Sequence, residues 1–63
     1  MAENVKKLRL KMDLSQEGLA ELGGFHRTFV SKVERKVANP SVDTLDHLAN
    51  VLGVQVIELF RPA

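Results

Sequence analysis

The run from Ser15 to Arg35, SQEGLAELGGFHRTFVSKVER, constrains this chain more than any other part of it. It reads as two short helices joined by a glycine-containing turn, in which Gly24 can supply a left-handed conformation. In the second segment Phe25, Val30 and Val33 recur at spacings that gather on one side of a helix, while Arg27, Thr28, Ser31, Lys32 and Arg35 gather on the other. That outward stripe carries donors and no carboxylate. Arg and Lys can pair with guanine acceptors, a Thr methyl can pack on a thymine methyl, and a small Ser permits close approach, so the stripe suits a major groove. Taken by itself it would also describe an ordinary solvated helix face.

The flanking residues extend the helical pattern. Val5, Leu8 and Met12 fall at i, i+3 and i+7, which predicts a first amphipathic helix from about Glu3 to Met12. Glu3 near its start and Lys11 near its end suit the helix dipole. Ser15 is the expected N-cap of the second helix, with Leu14 and Leu19 as its hydrophobic staple. Gly18 stands where a capping box would have Glu or Gln, a departure that costs the helix up to about 1 kcal/mol. Phe25 and Val30 repeat the staple at the start of the third helix, and His26 occupies its N-cap. With no acid or Cys beside it, His26 reads as an exposed cap or packing residue, or as a phosphate or base contact at the leading edge. Phe29 lies between the two faces, as a packing residue or a contact to sugar and thymine methyl groups.

Beyond the third helix, Asn39, Pro40 and Ser41 punctuate the chain, and Ser41 can cap a fourth helix carrying Val42, Leu45, Leu48, Ala49 and Leu52. Gly53 ends it. Gln55 to Phe60 reads as a short fifth helix before Pro62. Its apolar set Val56, Ile57, Leu59 and Phe60 is wider than one buried stripe requires, which leaves surface for a partner. The expected fold class is all-α, a compact bundle of five short helices forming a single domain over residues 1–63, with no internal repeat or linker.

Composition narrows the function classes. A chain of 63 residues is near the lower limit for an unaided hydrophobic core, and without Cys it has neither a disulfide nor a thiolate zinc site to supplement one. Two His residues far apart make a poor metal set, so no metal or cofactor is expected. No apolar run approaches the roughly 20 residues of a membrane span, and the amino terminus lacks a signal-peptide segment, which predicts an intracellular, cytoplasmic protein with no membrane partner. The net charge is only +1, but it is unevenly spread. Residues 1–36 hold eight cationic side chains against five acidic ones, whereas residues 37–63 hold Arg61 against Asp43, Asp46 and Glu58. One end is therefore suited to phosphate and the other to something else. No Gly-rich phosphate loop, nucleophile motif or paired carboxylate set appears, which argues against an enzyme.

The segments LSQEGLAELGGFHRTFVSKVER and NPSVDTLDHLANVLGVQVIELF resemble the lambda-repressor-like helix-turn-helix family, also called the Xre or Cro/CI type. The likeness lies in the hydrophobic-Ser-Gln start of the second helix, the glycine turn, the Val-x-x-x-Glu end of the third, Asn-Pro-Ser before the fourth, and Leu-Gly-Val before the fifth. The run HRTFVSKVER further resembles the controller proteins of restriction-modification systems. The resemblance implies a helix-turn-helix unit over about 15–35 that binds double-stranded DNA, with Arg27, Thr28, Ser31 and Lys32 against base edges. Gln16 matches the family's phosphate-contacting Gln, which can also brace the recognition helix. Asn39 and Ser41, with the first amides of the fourth helix, resemble a second phosphate clamp, and Arg35 and Lys36 are further phosphate candidates. The family usually has Gly where Lys36 stands. A Lys in a left-handed cap would cost roughly 1 kcal/mol, so the helix exit is expected to extend by a turn instead.

The resemblance also pairs an Arg and a Glu at Arg9 and Glu34, both turned partly inward by the faces they share with Val5, Leu8, Val30 and Val33. The implied mode of action is a homodimer on a palindromic operator, repressing or activating transcription. The less basic 41–60 region is expected to join the copies through Ile57 and Phe60, with Val51 and Val56 beside them. An antitoxin-like chain or an adaptor that binds a protein partner is the competing reading.

Overall fold

The apolar periods fold into α1 (Ala2–Lys11), α2 (Gln16–Gly23), α3 (Arg27–Glu34) and α4 (Val42–Leu52), followed by a terminal 3-10 turn (Val56–Leu59). The computed structural model describes residues 1–62, and among them there is no strand. The expected fifth helix over 55–60 is a correction. So short a segment cannot recover the cost of nucleating an α-helix, and it closes with i→i+3 bonds, Glu58 N–H to Gln55 O at 2.9 Å and Phe60 N–H to Ile57 O at 3.1 Å.

All four α-helices stop by the same device. A residue with positive φ follows each one: Asp13 (57°), Gly24 (71°), Lys36 (66°) and Gly53 (74°). The next amide then reaches back to a carbonyl in the last turn, Leu14 to Arg9 (3.1 Å), Phe25 to Ala20 (2.8 Å), Val37 to Lys32 (3.0 Å) and Val54 to Ala49 (3.0 Å). The turn extension expected after Glu34 is therefore also a correction, because Lys36 itself takes the left-handed conformation. Three amides, of Lys36, Val37 and Ala38, close onto Val33 O and Lys32 O at 3.0 to 3.2 Å. Satisfying those otherwise orphaned carbonyls offsets the roughly 1 kcal/mol that a Cβ costs there.

The core is built from every element. Val5, Leu19, Val30, Val33, Leu48 and Leu59 are fully buried, with Ala20, Ala49 and Leu52 around them. Each large side chain removed from water contributes roughly 1.5 to 3 kcal/mol. Leu14, Phe25 and Val54, each following a left-handed residue, fold back onto this core, whereas Val37 remains exposed. Two residues placed inward by periodicity are also exposed: Met12 lies just past α1, and Val42 is the first residue of α4. The two ends of the fold meet where Asn4 of α1 donates its side-chain amide to Glu58 O (3.2 Å), Leu59 O (3.1 Å) and Arg61 O. The Cα envelope measures 24 × 23 × 19 Å, and among the described residues no helix is long and apolar enough to cross a membrane.

Candidate nucleic-acid interface

The start of α2 is fixed by Ser15, whose backbone is extended and whose Oγ accepts the Gly18 N–H at 2.9 Å. A Cβ on Gly18 would stand 3.3 Å from that Oγ and 3.4 Å from Leu14 Cδ2, so the cap is tightly built around the glycine. This arrangement sets Gln16 at the first turn of α2, half-buried. Its Nε2 donates to Glu34 Oε1 at 3.2 Å.

Glu34 is the hub of a buried network. Arg9 grips it in a fork, Nε to Oε2 at 2.8 Å and Nη2 to Oε1 at 3.0 Å, while Arg9 Nη1 donates to Leu14 O at 2.8 Å. Both side chains are less than a tenth exposed. Burial pushes the Glu34 carboxyl up, but the hydrogen bonds from Arg9 and Gln16 and the charges of Arg9 and Lys6 outweigh it and hold the group below the ordinary carboxylate range. The Arg9 guanidinium is raised in turn, chiefly by its hydrogen bond to Glu34. The pair thus ties α1 and the loop after it to the end of α3, and Gln16 brings α2 into the same network.

The turn between α2 and α3 is equally crowded. Gly23 is buried beneath Phe25, and a Cβ there would collide with the aromatic ring. Phe25 lies 5.1 Å from the Phe29 ring and meets the His47 ring edge-on at 5.2 Å. Nε2 of His47 donates to Gly23 O at 2.7 Å, so α4 braces the turn. Helical periodicity does not mark His47 and Asn4, whose partners lie 24 and more than 50 residues away. Phe29 is a packing residue here, half-buried against the core.

On this scaffold α3 buries Val30 and Val33 and turns Arg27, Thr28 and Lys32 to solvent, with Ser31 half-buried and Arg35 exposed at its C-cap. His26 is exposed at the N-cap, its backbone extended and its side chain making no capping bond. Asn39 and Ser41 are exposed before α4. Ser41 Oγ accepts the Thr44 N–H at 3.2 Å and lies 2.9 Å from Thr44 Oγ1, which caps the first turn of the helix. Lys36 is exposed but lines a groove with Met1, Ala2, Phe60 and Arg61, on the side of the terminal segment. Of the residues named for self-association, Ile57 and Phe60 are exposed, whereas Val51 and Val56 are half-buried against the core.

Known proteins carry the same sequence pattern and fold. A helix-turn-helix family profile matches residues 5–59. The control protein C.SmaI of Serratia marcescens is 48% identical over 59 residues, which cover 94% of this chain and 70% of that protein. The restriction-modification controller protein C.AhdI of Aeromonas hydrophila superposes with a TM-score of 0.87 at 39% identity, over 94% of this chain and 89% of its own. The biofilm regulator SinR, solved in complex with DNA, superposes with a TM-score of 0.86 at 32% identity, over 94% of this chain and 98% of its own. The chain belongs to the Xre-type helix-turn-helix family of DNA-binding transcription regulators.

Proposed function

We propose that this regulator binds double-stranded DNA sequence-specifically, as a symmetric homodimer on a palindromic operator. The observation that carries the reading is the solvent face of α3. Arg27, Thr28 and Lys32 stand exposed, with Ser31 beside them, on a helix locked from behind by Val30, Val33 and the Arg9–Glu34 pair. Arg27 and Lys32 reach guanine acceptors, Thr28 packs on a thymine methyl, and Ser31 lets the helix approach. Gln16 at the start of α2, and Asn39 and Ser41 at the start of α4, hold phosphates on either side, with Arg35 as a further contact. The placement of Lys36 beside Phe60 makes it the weakest of the phosphate assignments.

The dimer follows from information content. One recognition helix reads only a few base pairs, too few to single out an address among the competing sites of a genome. Two copies joined through Ile57 and Phe60 read two half-sites about one helical turn, or roughly 34 Å, apart. The likeness to C.SmaI and C.AhdI supports a role in controlling a restriction-modification system. Sequencing the duplexes that the purified protein retains from a random pool tests the proposal. A recovered palindrome is the expected result. Enrichment of nothing would favour a module whose partner is another protein.

A further inference from the structure

Three backbone carbonyls of the terminal segment converge on one side-chain amide of α1. Asn4 Nδ2 donates to Glu58 O and Leu59 O at 3.2 and 3.1 Å and to Arg61 O, across 54 to 57 residues of sequence. A primary amide has two protons, so at least one of them is shared among the three acceptors. Two of those carbonyls belong to the last residues of the 3-10 turn, where a helix end leaves its acceptors without partners.

The consequence lies on a neighbouring face of the turn, where Phe60 lines the same groove as Asn4. In a 3-10 conformation residues i and i+3 eclipse, so Val56 and Leu59 share one face while Ile57 and Phe60 share another. Leu59 is fully buried in the core, and Ile57 and Phe60 are 59% and 55% exposed. A four-residue turn has no rigidity of its own. Val56 and Leu59 hold its inner face against the core, an axis about which it could still roll, and Asn4 fixes it from the side of α1. We infer that Asn4 is the positioning residue of the self-association face, holding Ile57 and Phe60 at one fixed angle to α1. The inference rests on the proposed homodimer. Its energetic content is preorganisation, since a face that must be ordered at the moment of contact binds its copy less tightly.

The full-length Asn4→Ala variant tests this. Ala favours α1 as a helix, and the core side chains are untouched, so the variant is expected to fold. By sedimentation equilibrium below the melting transition, the dimer dissociation constant should rise about tenfold or more. Binding to the palindrome recovered by selection should weaken, while binding to a duplex carrying one half-site stays at the parent level. A parallel loss on both duplexes would mark a merely structural role and overturn the inference. Asn4→Ser retains a donor on a shorter side chain and should fall between the parent and Asn4→Ala, and it serves alone if the Ala variant does not fold. Ile57→Asp separates the two levels. If Ile57→Asp is monomeric while a folded Asn4 variant dimerises as the parent does, the role of Asn4 is refuted and the homodimer stands. If Ile57→Asp dimerises unchanged, the self-association face itself is misplaced.

Discussion

Arg27 and Gln16 differ in what they would lose on truncation. Arg27 is an exposed donor on the solvent face of α3, and Gln16 is already half-buried against Glu34. Arg27→Ala is therefore expected to weaken the selected site by about 1 to 3 kcal/mol and random DNA far less, as gel-shift titrations on both duplexes would show. Gln16→Ala should weaken both alike. Equal losses for Arg27→Ala would remove it from the base-reading set. Arg9 makes a different prediction, about folding. Deleting it strands Glu34 with less than a tenth of its side chain exposed, and Arg9→Ala should cost about 3 to 5 kcal/mol in a chemical melt, a large share of the roughly 5 to 15 kcal/mol that holds a domain together. The pair also sets an acid limit. Because the folded Glu34 carboxyl sits below its ordinary value of 4.5, its contribution is fully present above that value and is lost as pH falls through the lower, folded one. Melts of the parent and Glu34→Gln should differ at neutral pH and converge in strong acid; a constant gap would disconnect the carboxylate from the acid response. Arg9 and Glu34 were readable as inward-turned from helical periodicity, and the family likeness supplied their pairing. Asn4 and His47 were not readable, because each is defined by a carbonyl on a distant element.

The four α-helices were legible because each repeats its apolar residues at helical spacing over two or three turns, and because Ser15, Ser41, Gly24 and Gly53 carry the chemistry of helix starts and stops. Neither failure of that logic was random. The 55–60 segment is too short for periodicity to separate an α-helix from a 3-10 turn, and the outcome was set by how Leu59 and Asn4 hold it. At Lys36 local propensity argued against a left-handed residue, yet the closing bonds to Val33 O and Lys32 O prevailed. The strain remains in the folded protein. Lys36→Gly should relieve it and raise stability by up to about 1 kcal/mol, which in a domain of this size is about 4 to 8 °C in Tm. Gly24→Ala, at φ 71° and with open space around its Cβ, should cost about the same for the converse reason. Calorimetry on the two variants checks both signs, and a Lys36→Gly protein that melts no higher than the parent would show that the lysine side chain repays its backbone.

At the scale of the whole molecule, the uneven charge and the exposed terminal turn point the same way. In the proposed homodimer α3 faces phosphate while the exposed Ile57 and Phe60 face a second copy. Ile57→Asp is expected to remain folded, to sediment as a monomer and to lose high affinity for the palindrome while keeping its weak grip on any duplex. Parent-like operator binding by that variant would rule out the face. The 24 Å envelope then acts as a ruler. Lengthening the spacer between half-sites by about 5 base pairs turns the second one to the far side of the duplex. Lengthening it by about 10 restores the phase but separates the two reading helices by roughly 68 Å, more than two bodies this narrow can bridge while remaining in contact. A protein with a long flexible tether between its copies would recover at each full turn. This one should bind tightly at a single spacing, so the operators it can use along a genome are limited by its own width as well as by their base sequence.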